Sequence, residues 1–425
     1  RKDHGVSTHM VSVLAGGSSV APPRGMAAYL SAVRAGESVL VRPRAGYPGL
    51  EKTVGLVAGL APGVLTVTDV ADLLETVEPG EVPPGPGAAP SHRTGDDEAG
   101  VVGYHSSGST GLPKCVVYRG ATVRAHARLI ASSLGLDASH RYASLTPPNF
   151  AYGLSILNSH ELSGVPISFT DDAAELAAAY AGTDEPLTLY LLPQQASLLA
   201  SIEDALPLER VITAGGRVSG PTVESLLRRY PELRLTAMYG QAELGPRLAL
   251  WDGPLAEFVP GTLGQPIGDV EFRLDDAEAS GRTQLLVNTP HAMSWTIPAP
   301  YDAVLPGPAP DAVVATGDYA ALDEQGRYVH TGRREDLANV AGTKVLLGDL
   351  SRSLEAALPL AGLRVTKRKA RVSGDDVPVV ELVPAPGASF TAADVRRALR
   401  DEWGPLVALL DVKLVDRITI SEAGK

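Results

Sequence analysis

YHSSGSTGLPKCVVY, residues 104–118, is the stretch that decides how this chain of 425 residues is interpreted. Gly108 and Gly111 let the backbone fold tightly, so that its N–H groups can point inward at an anion. Lys114 adds a point charge, and the hydroxyl donors are Ser106, Ser107, Ser109 and Thr110. The lysine is followed by the apolar run Cys-Val-Val-Tyr, whereas a Walker loop needs Gly-Lys-Ser/Thr opening a helix. The stretch predicts a phosphate-binding loop before a strand, with a plain Ser/Gly-rich surface loop as the alternative.

Length and composition limit the class of protein. A chain of this length exceeds a typical single domain, so two or three units are expected. The net charge of −12 argues against a general nucleic-acid binder. No apolar run reaches membrane-spanning length, and the single cysteine, Cys115, excludes a disulfide framework and fits a reducing compartment. We therefore expect a cytoplasmic protein without nucleic-acid or membrane partners. Residues 1–9 resemble a vector remnant before a natural start at Met10.

Apolar runs alternate with Ala/Leu-rich stretches from residue 101 to about 250, which is typical of a layered α/β domain with a largely parallel sheet. The predicted strands are 101–104, 115–118, 167–169, 188–192, 210–214 and 233–238. The predicted helices are 121–134, 173–181, 193–206 and 221–230. Before this region, residues 79–100 are rich in Pro, Gly and acidic residues and are predicted to be a long loop or linker.

The pattern changes from about residue 260, where strand-like runs come with turns and few helices. These runs, at 270–274, 284–287 and 313–316, predict a small β-rich subdomain. The last segment, from about 336 to 425, alternates strand, helix, strand, strand, helix and strand, which predicts a small α+β lid.

Two short motifs carry groups suited to a nucleotide. Tyr239 follows a predicted strand, where ligands bind in α/β sheets, and can stack on a flat base. Glu243 comes one turn later and can hold Mg²⁺ against phosphate oxygens, because that ion prefers oxygen ligands. Asp318, in Thr-Gly-Asp, is a short carboxylate after a strand and suits a vicinal diol. By themselves, a surface glutamate and an Asx turn remain the alternatives.

Together these blocks resemble the adenylate-forming superfamily of acyl- and aryl-CoA synthetases, peptide-synthetase adenylation domains and luciferases. Residues 106–114 resemble its phosphate loop, 239–243 its Tyr-Gly-x-Thr-Glu and 316–318 its Thr-Gly-Asp. Residues 332–336 resemble the block that carries its hinge, and 418–425 its terminal Gly-Lys block. The departure is Ala242, where a threonine is usual. The resemblance covers the chain from about residue 100 and implies an adenylating domain over 10–332, truncated at its start, and a mobile lid domain over 336–425.

The resemblance also implies roles for individual residues. The implied catalytic residues are Lys425, Glu243 and Lys114, with Glu243 as the metal ligand and Glu335 as the hinge. The implied nucleotide-binding residues are Ser106, Ser107, Gly108, Ser109, Thr110, Gly111, Tyr239, Gly240, Gln241, Asp318 and Arg333. The implied substrate pocket contains Asn149, Phe150, Gly153, Ala214, Gly215 and Gly216. Among the nine histidines, His105, His126, His160 and His330 are scattered without metal-ligand spacing, so a zinc site is not expected.

The function implied by the resemblance is activation of a carboxylic acid by MgATP, followed by transfer to the thiol of CoA or of a phosphopantetheinyl carrier protein. The short chain, Gly215-Gly216 and the small Asn149 favour a small aromatic acid of secondary metabolism. Capture of the adenylate by an amine or hydroxyl is one alternative. A non-catalytic nucleotide-binding protein is another, and Ala242 is the feature that favours it.

Overall fold

The computed structural model describes most of the chain. Its described residues are 11–15, 18–20, 24–42, 49–61, 65–68, 74–77, 100–106, 113–180, 182–196, 199, 202, 206–278, 281–370 and 374–418. Residues 79–99 of the linker predicted over 79–100, and most of the phosphate loop, therefore lie outside the described residues.

The helices in this part of the chain are α1 Arg24–Ala35, α2 Leu50–Leu60, α3 Gly120–Leu134, α4 Ala151–Ser163, α5 Ala173–Tyr180, α6 Gly220–Arg229, α7 Leu347–Ala357, α8 Ala392–Ala398 and α9 Arg400–Trp403. The strands are β1 Val11–Ala15, β2 Ser18–Val20, β3 Ser38–Val41, β4 Leu65–Thr68, β5 Leu74–Val77, β6 Val101–Ser106, β7 Lys114–Arg119, β8 Arg141–Ser144, β9 Ile167–Phe169, β10 Leu187–Leu191, β11 Leu208–Thr213, β12 Arg234–Gln241, β13 Gly245–Pro254, β14 Thr262–Pro266, β15 Glu271–Leu274, β16 Gln284–Asn288, β17 Trp295–Ile297, β18 Leu305–Pro306, β19 Val314–Leu322, β20 Tyr328–Arg333, β21 Leu337–Val340, β22 Thr343–Leu346, β23 Leu360–Lys369, β24 Asp376–Pro384 and β25 Asp411–Leu414.

The largest sheet begins as a parallel block. Strands β1, β9, β8, β10, β11 and β12 pair side by side in parallel, and β12 then continues antiparallel into β13. Successive side chains of a strand point to opposite faces, so this sheet packs against two cores. Tyr190 belongs to a cluster with residues of α1, α3 and α4, whereas Leu189 and Leu191 belong to a cluster with residues of α5 and α6. Helices on both faces confirm the predicted layered α/β class.

A second sheet, in the order β18-β17-β7-β6-β3-β4-β5, carries the phosphate-loop hairpin. Strands β6 and β7 are antiparallel, and their register ends with Ser106 opposite Lys114. Cys115, Val116 and Val117 of β7 are fully buried and anchor the hairpin in the core. The residues at both ends of the loop are thus fixed by a packed hairpin.

The predicted β-rich region corresponds to β13–β16, β19 and β20, which extend the largest sheet by antiparallel pairing. Residues beyond 343 build a separate three-stranded sheet, β23-β24-β25, with its own core around Leu350, Leu354 and Val380. Ion pairs join this unit to the body, among them Arg217 Nη1 to Glu355 Oε2 at 2.9 Å. The domain limits at 332 and 336 and the mobility of the lid stay predictions.

Several element predictions differ from the structure. The helix predicted over 193–206 begins, where described, with a 3₁₀ turn at Pro193–Gln195, and Ala196 and Leu199 are α-helical. Strand β8 and helix α4 were not predicted. In α4 every residue from Tyr152 to His160 is buried, so the sequence lacks the polar face that marks an amphipathic helix. None of the helices in the described residues is long and apolar enough to cross a membrane.

Candidate active site

A cleft of about 1030 Å³ opens between the phosphate-loop hairpin, the ends of the parallel strands and β19. The predicted site residues that line it are Ser106, Lys114, Phe150, Gly215, Gly240, Gln241, Glu243, Asp318, Arg333 and Glu335. These residues come from segments spread over more than two hundred positions of the chain, and the fold brings them to one surface.

The hairpin contributes a hydroxyl group and a lysine side chain to this cleft. The Ser106 hydroxyl is buried and has no hydrogen-bond partner among the described residues, which do not include 107–112. Lys114 forms an ion pair with Glu243 across the cleft, and both side chains are partly exposed. An incoming polyphosphate can compete with Glu243 for the ammonium group, which would free the carboxylate.

Asp318 is the centre of a hydrogen-bond network at the other end of the cleft. Its Oδ2 accepts hydrogen bonds from the Tyr239 hydroxyl at 2.6 Å and from Gln241 Nε2 at 2.8 Å. Its Oδ1 lies 2.9 Å from Arg333 Nε and 3.6 Å from His330 Nε2. Burial alone would raise the pKa of Asp318, but the hydrogen bond from His330 and the charge of Arg333 outweigh it and lower the pKa from 3.8 to about 2. The carboxylate is therefore ionised and oriented as an acceptor.

The backbone at residues 239–242 places these side chains. Gly240 makes close contact with the next strand, because a Cβ there would lie 2.2 Å from the carbonyl carbon and oxygen of Pro246. The carbonyl of Ala242 accepts hydrogen bonds from the hydroxyls of Tyr104 at 3.3 Å and Tyr118 at 2.5 Å. Ala242 thus contributes its backbone to the core and a methyl group to the cleft wall, where a threonine would offer a hydroxyl.

A smaller pocket of about 400 Å³ adjoins the cleft and shares Gly215, Gly240, Asp318, Arg333 and Glu335 with it. Tyr239 and Gly216 lie in this smaller pocket. The predicted base-stacking tyrosine and two of the predicted substrate glycines, Gly215 and Gly216, therefore line the same pocket. Gly216, which was predicted to line the acid, shares this pocket with Tyr239, and its role stays a prediction.

Three predicted pocket residues do not reach either pocket. Asn149 is 4% exposed, Ala214 is 2% exposed, and both lie in the protein interior. Gly153 lies in α4, where a Cβ would be 1.9 Å from the Pro147 carbonyl oxygen. The glycine is needed for this close helix–loop contact, which leaves no space for a ligand. The predicted residues Ser107, Gly108, Ser109, Thr110, Gly111 and Lys425 lie outside the described residues.

The structure adds groups that the sequence analysis did not select. Thr316 Oγ1 accepts from the Asp318 N–H at 3.0 Å and donates to the Leu285 carbonyl at 2.8 Å, and the Thr316 carbonyl accepts from Gln241 Nε2 at 3.0 Å. His330 was noted only for lacking metal-ligand spacing. The cross-strand pairing of β19 with β20 brings it to Asp318, and the alternation along β20 was the signal that could have placed it. In the described residues no group of three or more His, Cys, Asp or Glu side chains could hold a metal ion.

The sequence profile of AMP-binding enzymes matches residues 39–294, which is more than half of the chain. This chain belongs to the AMP-binding enzyme family. The 2-succinylbenzoate–CoA ligase of Staphylococcus aureus is 23% identical over 253 residues, 59% of this chain and 50% of the relative. The chain thus spans about half the length of the curated relatives it matches.

Solved structures in the same family share the fold. The O-succinylbenzoate coenzyme A synthetase of Bacillus subtilis in complex with AMP has a TM-score of 0.60 and 18% identity, covering 76% of this chain and 67% of that one. The amide bond synthetase McbA of Marinactinospora thermotolerans has a TM-score of 0.61 and 21% identity over the same shares. The anthranilate CoA ligase AuaEII with anthranoyl-AMP has a TM-score of 0.61 and 17% identity, covering 80% and 67%. At these identities the likeness is one of fold.

Proposed function

We propose that this protein uses ATP to activate a carboxylic acid as an acyl-adenylate and then passes the acyl group to a thiol. The observation that carries the proposal is the single cleft containing Ser106, Lys114, Glu243, Asp318 and Arg333. Cationic and hydroxyl donors stand at one end of this cleft, and an oriented, ionised carboxylate stands at the other. This is the arrangement that a nucleoside triphosphate requires.

The first half-reaction follows from these positions. A carboxylate oxygen of the acid attacks the α-phosphorus of ATP, the bond to the β-phosphate oxygen breaks, and pyrophosphate leaves with its electron pair. Lys114 and the Ser106 hydroxyl hold the departing phosphates. Asp318 accepts hydrogen bonds from the ribose hydroxyls. These hydroxyls join or replace Tyr239 and Gln241, which donate to Oδ2 in the structure. Positioning and charge stabilisation are the contributions of the protein.

Magnesium is the metal proposed for this reaction, and the donor set fits it. Glu243 supplies one carboxylate beside the phosphate-loop hairpin, and Mg²⁺ is commonly bound by one or two carboxylates together with substrate phosphates and water. When bound, the ion would neutralise charge on the phosphates. Lys114 would then leave Glu243 and bind the same phosphates, so the ion pair between Lys114 and Glu243 belongs to the state without nucleotide.

The second half-reaction transfers the acyl group. A CoA or phosphopantetheine thiolate attacks the acyl carbon, the bond to the adenylate oxygen breaks, and AMP leaves. CoA as acceptor and a small aromatic acid as substrate are supported by the relatives named as 2-succinylbenzoate–CoA and anthranilate–CoA ligases. A carrier protein, the lid rotation about Glu335 and the role of Lys425 remain parts of the proposal that rest on sequence resemblance.

The proposal is tested by carboxylate-dependent exchange of labelled pyrophosphate into ATP across small aromatic and aliphatic acids. Exchange that needs both an acid and Lys114, and disappears in Lys114→Met, supports it. ATP binding without exchange for any acid would instead favour a non-catalytic nucleotide-binding protein, and Ala242→Thr then tests whether the missing hydroxyl is the cause. Product formation from an amine in the absence of CoA would identify an amide-forming ligase.

A further inference from the structure

The backbone on both sides of Lys114 is held by a segment that lies far away in the sequence. Strand β17 pairs antiparallel with β7, the strand that Lys114 begins. The Thr296 hydroxyl donates to the Cys115 carbonyl at 3.2 Å. The Tyr301 hydroxyl donates to the Pro113 carbonyl at 2.6 Å. The carbonyl groups that flank Lys114 are therefore both bound by hydroxyl groups of one segment.

The hydrogen bond from Tyr301 extends this support beyond the hairpin. The pairing of β6 with β7 ends with Ser106 opposite Lys114, so Pro113 lies past the last paired residue. Proline has no backbone N–H, and its carbonyl is the one backbone group through which it can be held by a hydrogen bond. Tyr301 therefore fixes the residue that joins the phosphate loop to Lys114.

Tyr301 is itself held firmly. Its relative exposure is 3%, and it belongs to the core cluster that contains Val57 and Cys115. Its ring packs against the backbone of Gly49, where a Cβ would lie 2.2 Å from Tyr301 Cδ2. Its φ of 65° lies in the left-handed region, which bulky residues rarely adopt and which is often found at functional sites. A ring enclosed in this way keeps its hydroxyl at the Pro113 carbonyl.

The segment that carries Tyr301 also reaches the cleft. Pro298 and Ala299 line the cleft together with Lys114. The Tyr301 N–H donates to the Pro298 carbonyl at 2.8 Å, which closes a turn between the cleft wall and the buried ring. Tyr301 is not among the described residues that line the cleft, so an effect on nucleotide binding has to pass through a residue that it holds.

We propose that Tyr301 is a positioning residue for Lys114 and thereby sets the affinity of the cleft for the β- and γ-phosphates of ATP. The inference rests on the proposed function, in which Lys114 holds these phosphates. A lysine side chain is a flexible stem with a point charge at its end, so its backbone is the part that can be fixed before binding. Fixing the backbone lowers the entropic cost of holding the ammonium group at the phosphates.

A tyrosine that serves only to fill the core is the competing explanation. Its ring would then pack against Gly49, and its hydroxyl would bond to Pro113 only because a buried polar group needs a partner. Losing the hydroxyl would affect the binding of AMP and ATP equally or not at all. A displaced Lys114 would instead weaken the binding of ATP and pyrophosphate and spare AMP, which lacks the β- and γ-phosphates.

The experiment measures the binding of ATP, pyrophosphate and AMP by isothermal titration calorimetry at a fixed magnesium concentration. Wild type is compared with Tyr301→Phe, Lys114→Met and the double variant. We expect Tyr301→Phe to weaken ATP and pyrophosphate binding by about five- to tenfold, the effect of one hydrogen bond, and to change AMP binding by less than about twofold. In the Lys114→Met background, Tyr301→Phe should have no further effect on ATP binding, since the two residues act as a unit.

Tyr328→Phe is the matched control. The Tyr328 hydroxyl also donates to a backbone carbonyl, that of Phe272 at 2.9 Å, and Tyr328 is not among the described residues that line either pocket. This variant removes the same type of bond away from Lys114 and should leave all three affinities within about twofold of wild type. Thr296→Val removes the hydrogen bond on the other side of Lys114 and should act in the same direction as Tyr301→Phe.

Three results would overturn the inference. One is an unchanged ATP affinity in a folded Tyr301→Phe protein. Another is an equal loss of ATP and AMP affinity, which a purely structural role predicts. The third is a full effect of Tyr301→Phe in the Lys114→Met background. Thermal melting shows whether each variant folds. If Tyr301→Phe does not fold, Thr296→Val decides the question, because a loss selective for ATP supports the inference and its absence contradicts it.

Acid-dependent pyrophosphate exchange, measured below saturating ATP, separates this inference from the proposed function. Binding of ATP that depends on Tyr301 and Lys114, without exchange for any acid, supports the positioning role and contradicts adenylation. Exchange that is equally fast in wild type and Tyr301→Phe supports adenylation and contradicts the role of Tyr301.

Discussion

Neutralising Asp318 should weaken folding by an amount that depends on pH. The native pKa of this carboxyl is about 2, against an ordinary value of 3.8. At about 1.36 kcal/mol per pH unit, the gap corresponds to about 2.4 kcal/mol of stabilisation at neutral pH. Because the native pKa is the lower one, the contribution is complete above the unfolded-state value and is lost as pH falls through 3.8 toward 2.

The Asp318→Asn variant keeps the size of the side chain and removes its charge. At pH 7 we expect its free energy of unfolding to be about 2.4 kcal/mol lower than that of wild type, because the charge that Arg333 stabilises is removed and one of the two acceptor oxygens becomes an amide nitrogen. At pH 3 the difference should shrink to about 1.3 kcal/mol, since the unfolded carboxyl is then mostly protonated.

Urea unfolding at pH 7, 5 and 3, followed by both tryptophan fluorescence and circular dichroism, measures this difference. Glu271→Gln is the matched control, because its ion pair with Arg273 is exposed on both sides and should contribute less than about 1 kcal/mol at every pH. A difference between wild type and Asp318→Asn that is the same at pH 7 and pH 3, or no larger than that of the control, would refute the electrostatic account of this network.

Three further predictions follow from the site and its supports. Glu243→Gln should reduce acid-dependent pyrophosphate exchange by about 100-fold. It should change the free energy of unfolding by less than about 1 kcal/mol, because the ion pair with Lys114 is partly exposed. Full exchange activity would show that Glu243 has no part in the mechanism. Gly153→Ala should lower the free energy of unfolding by about 1–3 kcal/mol, because the new Cβ would overlap the Pro147 carbonyl. Gly220→Ala, whose Cβ would have no atom within 4 Å, should change it by less than about 0.5 kcal/mol. Equal effects of the two variants in urea unfolding would contradict the close-contact argument. Glu355→Gln breaks the bond to Arg217 between α7 and the body and should change the ratio of pyrophosphate exchange to thioester formation; an unchanged ratio would show that this contact does not govern the lid.

The sequence predicted the parts of the site that are local. The hydroxyl-rich loop, its lysine and the strand after it depend on neighbouring residues, and the hairpin β6–β7 confirms the strand that follows the loop. The Tyr-Gly and Thr-Gly-Asp motifs were also selected separately. The hydrogen bond between Tyr239 and Asp318 could not be predicted from the sequence, because it depends on how β12 and β19 are placed in one sheet.

Long-range burial explains what the sequence analysis missed. Helix α4 is buried on all sides, so its sequence lacks the polar face used to identify helices, and residues near its start were assigned to a ligand pocket. Gly153 was one of them, although its role is close packing against Pro147. Arg247 lies between a proline and apolar residues of β13, and only the structure shows that its side chain is buried and has no hydrogen-bond partner among the described residues.

The central claim, that a carboxylate oxygen attacks the α-phosphorus of ATP, is tested most directly by isotope transfer. An accepted acid labelled with oxygen-18 in its carboxyl group is incubated with the protein, ATP, magnesium and CoA, and the nucleotide product is analysed by mass spectrometry. The account predicts AMP that carries one carboxylate-derived oxygen-18 atom for each acyl group transferred. ADP as the product, or AMP without the label, would contradict it.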